Sequence, residues 1–162
     1  MEYQKLSHTF EPVWNENSTV LILGSFPSVK SREEGFYYGH PRNRFWKVLA
    51  AVKGEDEPTS IDGKKEFLLR NRIAVWDVIA SCEIKGSSDS SIRNVIVNDF
   101  SEILEKSKVS RIFANGKTAQ RLYKKYVLPD TGMPITALPS TSPANAAFSL
   151  EKLIDCYRRE LR

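Results

Sequence analysis

The sequence has few of the residues that bind metals or form disulfides. Its 162 residues include two cysteines, Cys82 and Cys156, and two histidines, His8 and His40. Two cysteines exclude a disulfide framework and any four-cysteine zinc or iron–sulfur site within one chain. HExxH and cysteine-rich spacings are also missing, so we expect neither a metal site nor another cofactor. The two cysteines are expected to be reduced and largely buried.

Long apolar runs are missing as well. No stretch approaches the roughly eighteen residues of a membrane span, and the N-terminal MEYQKLSHTF is too polar for a signal peptide. We therefore expect a soluble monomer in the cytoplasm, associated with the nucleoid if the source is prokaryotic. The formal charge of +4 permits a polyanionic partner such as nucleic acid without requiring one.

The motifs of several enzyme classes are absent. GSFPS at 24–28 has neither the GxxxxGK[ST] nor the GxGxxG spacing, which argues against nucleotide hydrolysis. GxSxG does not occur, so a serine hydrolase of the nucleophile-elbow type is excluded. The aspartates are scattered, and their spacing identifies no two-metal centre. Asp77 differs from the others because it ends a strongly apolar strand, where a carboxylate is costly unless it has a partner.

Short apolar runs alternate with stretches of helical period. The runs at 20–24, 73–79, 109–116 and 134–140 have the pattern of buried strands. Strands that are apolar on both faces and separated by helices indicate a parallel sheet covered on both sides. The sequence therefore predicts an α/β fold, a three-layer α/β/α sandwich with a mainly parallel central sheet of about four strands.

The predicted helices have apolar residues on one face. We expect a single domain over 1–162, with 1–17 as an N-terminal arm and with loops at 53–63 and 80–98. The helical faces comprise Phe45, Leu49 and Val52; Phe100, Ile103 and Leu104; Leu122, Tyr123 and Tyr126; Leu150, Leu153, Ile154, Tyr157 and Leu161; and a short helix over 63–70.

Ligands of an open parallel sheet bind beyond the carboxyl ends of its strands. The segments that follow the predicted strands are GSFPS, WDVIASC, FANGK and LPSTSPANA. LPSTSPANA suits the presentation of backbone N–H groups and short polar side chains to phosphates. It also suits a strand-to-helix loop in which Ser142 or Asn145 caps the last helix, and both interpretations can hold together.

Three segments in a fixed order resemble the uracil-DNA glycosylase superfamily, and most closely its hypoxanthine-DNA (deoxyinosine) glycosylase branch. They are GSFPS, GFYYGHPRNRFWKVL at 35–49 and LPSTSPANA at 138–146. The resemblance runs from about Val20 to the last helix. It implies a monofunctional enzyme that hydrolyses the N-glycosidic bond of a deaminated base in DNA. Hypoxanthine is the main expected substrate, and uracil and xanthine are further ones. The abasic product would pass to downstream abasic-site repair enzymes.

The resemblance implies that Asn43 is the catalytic residue. Relatives specific for mismatched uracil carry an asparagine in their first motif, whereas GSFPS offers only Ser25 or Phe26 there. The hypoxanthine branch uses the asparagine of HPRN instead, whose amide oxygen can accept a hydrogen bond from the attacking water. The alternative is that Asn43 caps the helix that begins near Arg44.

The resemblance also implies a base pocket. Tyr38 matches the aromatic residue that stacks on the flipped base, and Phe36, Tyr37, Phe45 and Trp46 are then support and core. Backbone N–H groups around Ser25 and Phe26 could bind a carbonyl of the base. Asp77 falls near the position where uracil-specific relatives read the base. A structural carboxylate near Ser81 is the alternative for Asp77.

The DNA contacts implied by the resemblance come mainly from the last loop. Ser140 and Ser142 match the region that pinches the DNA backbone, while Pro143, Ala144 and Asn145 match the part that enters the space vacated by the base. The small side chains there favour mismatched or single-stranded substrates over stable pairs. Further candidate contacts are Ser28, Lys30, Arg42 and Arg44, together with His40, whose alternative role is to order its own loop.

Two functions of other classes remain open at this point. A noncatalytic damaged-DNA-binding module could share the fold and the stacking Tyr38, but it would yield no abasic product. A nucleoside hydrolase could use the same sheet-end pocket, and it would act on free nucleosides without DNA.

Overall fold

Seven strands and seven α-helices lie within residues 2–86 and 88–161, the part of the chain that the computed structural model describes. The strands are β1 (Gln4–Ser7), β2 (Val20–Gly24), β3 (Ile73–Asp77), β4 (Ile79–Ile84), β5 (Arg93–Val97), β6 (Arg111–Asn115) and β7 (Ile135–Leu138). The helices are α1 (Val29–Glu34), α2 (Phe45–Lys53), α3 (Ile61–Arg70), α4 (Ser101–Lys106), α5 (Lys117–Tyr126), α6 (Leu128–Thr131) and α7 (Leu150–Leu161).

The central sheet is parallel and has four strands in the order β3-β2-β6-β7. In its register Leu21 of β2 lies between Ala74 of β3 and Ile112 of β6. Each of these strands coincides with one of the predicted apolar runs. The parallel pairing brings all four carboxyl ends to one edge of the sheet, which is where a ligand site is expected.

Each face of this sheet has its own hydrophobic core, because successive side chains of a strand point to opposite faces. Ile22 packs with buried residues of α2, α3 and α7, such as Leu49, Phe67 and Leu153. Leu21 joins the core on the other face, which includes residues of α4 and α5. The predicted three-layer α/β/α sandwich is therefore confirmed.

A second sheet was not predicted. Residues 80–98 form β4 and β5, which join β1 in an antiparallel sheet of order β1-β4-β5. The predicted loop over 80–98 is wrong because β4 alternates: Cys82 and Ile84 are buried, whereas Ser81 and Glu83 are half-buried. This period-2 pattern indicates a strand with one face in the core, despite the serines and the glycine that follow.

Side-chain caps explain where several helices begin. The Ser60 hydroxyl accepts a hydrogen bond from the backbone N–H of Gly63 at 2.9 Å, so α3 begins at Ile61, two residues before the predicted start. Ser149 caps α7 by accepting from the backbone N–H of Lys152. The suggested cap at Ser142 or Asn145 is therefore replaced by Ser149. No helix within the described residues is long and apolar enough to cross a membrane.

Two leucines of α7 provide a test of the packing. Leu153 is fully buried against α2 and the sheet, whereas Leu150, one turn earlier, is 38% exposed. We expect Leu153→Ala to lower the free energy of unfolding by about 2–5 kcal/mol, since it leaves a cavity in the core. Leu150→Ala should change it by only about 0.5 kcal/mol. Urea unfolding of both variants measures the difference, and equal losses would contradict this packing of α7.

Candidate active site

A cavity of about 530 Å³ opens at the carboxyl edge of the parallel sheet. Its walls come from the ends of β2, β3 and β6, the loop after β7, and the segment between α1 and α2. The volume lies within the range of about 300–1,000 Å³ that is usual for small-molecule sites. Five segments far apart in sequence thus meet where the topology of the sheet predicts a ligand site.

Most of the predicted site residues line this cavity. Arg42 and Asn145 are not among the lining residues; Arg42 is exposed and Asn145 is half-buried beside the cavity. The predicted residues that line it are Ser25, Phe26, Ser28, Lys30, Tyr38, His40, Asn43, Asp77, Ser140, Ser142, Pro143 and Ala144.

The amide oxygen of Asn43 already accepts two hydrogen bonds. One comes from the backbone N–H of Phe45, the first residue of α2, at 3.0 Å. The N-cap residue itself is Arg44, whose side chain makes no capping bond, so Asn43 caps the helix from one position further out. The other hydrogen bond comes from the hydroxyl of Thr141 at 2.8 Å. An amide oxygen has two lone pairs, and both are used here. Because Asn43 also lines the cavity, its Nδ2 is the group that remains for a water or a substrate.

Asn115 and Thr141 complete this network, and the sequence analysis did not single them out. Asn115 donates from Nδ2 to the Thr141 hydroxyl at 2.9 Å and accepts from the Thr141 backbone N–H at 3.0 Å. Thr141 is fully buried, and both residues line the cavity. Asn115 carried a usable signal, because it ends a buried strand with a polar side chain just as Asp77 does.

Tyr38 is held in an unusual conformation at the cavity wall. Its φ of +53° lies in the left-handed region, which costs a residue other than glycine about 1–2 kcal/mol. One face of its ring stacks on Phe45, with centroids 3.9 Å apart and planes at 22°. Phe45 and Trp46 are buried, as are Phe36 and Tyr37, so their expected role as support and core fits. The other face of Tyr38 is the one that a planar ligand could stack on.

The hydroxyl of Tyr38 is buried. Within the described residues it has no hydrogen-bond partner of good geometry, although Asn115 lies close to it. Burial, followed by the nearby carboxylate of Asp77, raises the pKa of Tyr38 well above its usual value. The phenol therefore stays neutral and keeps its proton as a hydrogen-bond donor.

Asp77 has a partner from the N-terminal arm. Its Oδ2 lies 2.8 Å from Nε2 of His8, and the two side chains are 5% and 4% exposed. The suggested structural role near Ser81 is thus replaced by a pair with His8. The sequence around Asp77 could not predict this partner, because His8 lies 69 residues away.

Gly24 allows side chains from other segments to pack closely against the end of β2. A Cβ atom placed there would lie 2.5 Å from Oδ1 of Asp77 and 3.1 Å from the hydroxyl of Tyr38. Two polar groups from different segments thus converge on a glycine at the end of β2. Ser25 and Phe26 follow it along the cavity wall, where their backbone groups can face a ligand.

The loop after β7 is held in place by Arg44. Its guanidinium donates to the backbone carbonyls of Ser142, Asn145 and Phe148, and its backbone N–H donates to the carbonyl of Thr141. Arg44 is therefore a structural residue and does not fit the suggested phosphate contact. The HPRN segment and the last loop form one connected unit.

Hydroxyl and amide groups within the last loop form local turns. Ser140 Oγ accepts from the backbone N–H of Ser142, and Ser142 Oγ accepts from that of Ala144, both at 3.1 Å. Asn145 donates from Nδ2 to the carbonyl of Ser140. Each serine oxygen acts as an acceptor here, so its proton is what it can offer to an anion.

The remaining candidates for DNA contacts lie at the rim. Ser28 caps α1 by accepting from the backbone N–H of Ser31 at 3.2 Å. Nδ1 of His40 accepts from the backbone N–H of Arg42 at 3.0 Å, so His40 orders its own turn. Arg42 itself is exposed.

Comparisons with known proteins agree with this architecture. The family model of the Uracil DNA glycosylase superfamily matches residues 11–161. A protein named Hypoxanthine DNA glycosylase from Methanosarcina acetivorans is 38% identical over 142 residues, which cover 86% of this chain and 89% of that protein. A protein of the same name from Methanosarcina barkeri is 35% identical over 138 residues, covering 84% and 86%.

A solved structure has the same fold. It is a solution NMR structure of a proposed uracil DNA glycosylase from Methanosarcina acetivorans, with a TM-score of 0.77 and 36% identity. The similarity covers 93% of this chain and 95% of the other. The family match spans nearly the whole chain, and the relatives exceed 30% identity over most of their length. The chain therefore belongs to the uracil DNA glycosylase superfamily.

Proposed function

We propose that this protein is a monofunctional DNA glycosylase that hydrolyses the N-glycosidic bond of a deaminated base, with hypoxanthine as its first substrate. The observation that carries the proposal is a cavity in which Tyr38, Asp77 and Asn43 meet at the carboxyl edge of the sheet. Its family and the names of its relatives support the same activity. A base inside a duplex is out of reach, so the substrate enters the cavity flipped out of the stack.

The flipped base is held between stacking and hydrogen bonds. Its face lies on the free side of the Tyr38 ring, which Phe45 supports from behind. One such stack contributes about 1–3 kcal/mol. Backbone N–H groups around Ser25 and Phe26 bind a carbonyl of the base and stabilise the negative charge that develops as it leaves.

Water reaches the sugar beside Asn43. As the bond to C1′ breaks, positive charge develops on the sugar, so the water needs correct placement more than activation by a strong base. An amide is suited to this task because it orients a water without removing its proton. With Oδ1 used by Phe45 and Thr141, the contact to water falls to Nδ2.

The DNA backbone is held at the rim. We assign phosphate contacts to Arg42, Ser28 and the hydroxyl protons of Ser140 and Ser142, with His40 ordering the adjacent turn. Pro143, Ala144 and Asn145 face the space that the flipped base leaves. We also propose that the protein acts on DNA as a monomer, in the cytoplasm or nucleoid. Abasic-site repair enzymes would consume the product.

Base release from oligonucleotides tests the proposal. We expect alkali-labile abasic sites in strands that carry hypoxanthine, with weaker release of uracil or xanthine, and none in strands with normal bases. Binding to these oligonucleotides without base release would indicate a noncatalytic module. Hydrolysis of free deoxyinosine in the absence of DNA would indicate a nucleoside hydrolase. Either outcome would overturn the proposed function.

Replacement of Asn43 tests its role. We expect Asn43→Ala to slow single-turnover release of hypoxanthine by about 100-fold or more, since a misplaced water loses its alignment with C1′. The same change removes the cap of α2 and should lower the free energy of unfolding by about 1 kcal/mol. Asn43→Asp keeps an acceptor for Phe45 and Thr141, so it should restore that stability.

A matched control separates the two effects. Ser60→Ala removes the N-cap side chain of α3, which also accepts from a backbone N–H at the start of a helix, and Ser60 does not line the cavity. We expect a similar loss of stability, about 1 kcal/mol, with base release unchanged. Rapid base release by Asn43→Ala, or slow base release by Ser60→Ala, would contradict the role of Asn43 in positioning the water.

Two substitutions at Tyr38 separate stacking from the hydroxyl. Tyr38→Phe keeps the ring and removes a buried hydroxyl without a good partner, so stability should be equal or higher and release should stay within about threefold. Tyr38→Ala removes the stack, and we expect release to fall by about 10- to 100-fold. Single-turnover kinetics and thermal unfolding measure both effects. If Tyr38→Phe were as slow as Tyr38→Ala, the hydroxyl and not the stack would be the working group.

A further inference from the structure

His8 and Asp77 form a buried pair that the reaction described above does not use. Nε2 of His8 and Oδ2 of Asp77 are 2.8 Å apart, and their side chains are 4% and 5% exposed. A buried carboxylate costs several kcal/mol unless it has a partner, so this pairing stabilises Asp77 in its place. His8 lies outside residues 11–161, the range that the family model covers.

The two residues differ in their relation to the cavity. Asp77 lines it and His8 does not. Oδ2 of Asp77 turns toward His8, while Oδ1 lies on the side of Gly24, which is also part of the cavity wall. The carboxylate therefore connects the N-terminal arm, through Oδ2, with the cavity wall, through Oδ1.

The His8 ring has little freedom to move. It packs between the rings of Phe10, with centroids 4.5 Å apart, Tyr37 at 5.9 Å and Phe26 at 6.2 Å. The backbone N–H of His8 also donates to the carbonyl of Ala80 at 2.7 Å, just beyond the β1–β4 pairing. A ring fixed in this way fixes the orientation of the carboxylate that it binds.

Deamination reverses the hydrogen-bonding edge of a base. In adenine and cytosine the ring nitrogen beside the amino group is an acceptor. In hypoxanthine and uracil the amino group has become a carbonyl, and that ring nitrogen carries a proton. An ionised carboxylate can only accept, so it binds this N–H and repels the lone pair of the undamaged base. A site of this kind rejects the wrong edge because it leaves a buried polar group unpaired.

On the basis of the proposed function, we infer that His8 is a positioning residue that holds Asp77 as an acceptor for the ring N–H of a deaminated base. Nε2–H of His8 occupies Oδ2, and Oδ1 reads the base. Without His8, Oδ2 of Asp77 would lose this donor, and the carboxylate would no longer be held in one orientation. A carboxylate that is not held toward the ring N–H would bind it less well, and discrimination against adenine and cytosine, which have an acceptor at this nitrogen, would weaken.

The test compares two bases within one DNA sequence. Hypoxanthine carries the ring N–H, whereas unsubstituted purine, incorporated as its deoxyribonucleoside, has an acceptor at the same nitrogen. For each base, the single-turnover rate of a variant is divided by the rate of the wild type on the same base. The different leaving abilities of the two bases then cancel. The probes are oligonucleotides that differ only in this base.

Asp77→Asn should change which hydrogen-bonding edge of the base the site binds. Its carbonyl oxygen can still accept from His8, which leaves the amide N–H₂ as a donor toward the cavity. We expect its rate on hypoxanthine to fall by about 10- to 100-fold, as for the loss of a hydrogen bond to a charged group. Its rate on purine should stay within about threefold or rise. An equal fall on both bases would overturn the assignment of Asp77.

Two substitutions at His8 test the positioning role. His8→Phe keeps the aromatic packing and loses the donor, so it should show the same selective loss on hypoxanthine. His8→Gln retains an amide donor and should recover at least part of the selectivity. Unchanged selectivity in His8→Phe, or His8→Gln behaving as His8→Phe does, would overturn the assignment of His8.

A control without a base separates this role from a structural one. All three variants should bind an oligonucleotide with a stable abasic-site analogue as tightly as the wild type does, because no base is present to be read. Weakened binding would show a general loss of structure and would overturn the inference. If the wild type releases no deaminated base at all, it is the proposed function that fails.

Discussion

A short chain of hydrogen bonds holds the walls of the cavity together. The side chain of Asn115 donates to Thr141, Thr141 donates to Asn43, and Asn43 caps α2 through the backbone N–H of Phe45. The chain links the end of β6, the loop after β7 and the start of α2. Strand pairing already joins Asn115 of β6 to Leu138 of β7, whereas α2 is joined to this edge by side-chain hydrogen bonds. Thr141 is fully buried, so losing any one member leaves a polar group without a partner inside the protein. The position of Asn43, and of anything that Asn43 holds, depends on this chain.

The sequence was a good guide to the central sheet and a poor one to its neighbour. Central parallel strands are apolar on both faces, so Val20–Gly24 and Ile73–Asp77 stood out as continuous runs. β4 has one buried face, and the serines and Gly86 that follow it made the segment look like a loop; β5 is half-buried at most. β1 has four residues, half-buried at most, and it becomes a strand through its pairing with β4. A segment of this kind has no signal of its own.

The site was predictable where local pattern carried it and not where distant segments meet. GFYYGHPRNRFW brings Tyr38 and Asn43 to the cavity within one short segment, and Asp77 stood out as a carboxylate at the end of an apolar strand. Its partner His8 did not stand out, because a histidine in a polar arm has no pattern that points to a residue 69 positions away. Thr141 was hidden in the same way: it lay within LPSTSPANA, among serines that seemed equally suited to the site.

The arrangement of polar groups indicates how the site can act. Both lone pairs of the Asn43 oxygen are used by the protein, the loop serines accept from their own backbone, and Arg44 fixes the loop through three carbonyls. Groups that are satisfied in this way do not have to reorganise when a substrate arrives, which is the source of electrostatic preorganisation. The groups that line the cavity are hydrogen-bond donors and acceptors, and the contacts around them hold them in place. A site arranged in this way suits the direct attack by a positioned water that we propose for this enzyme.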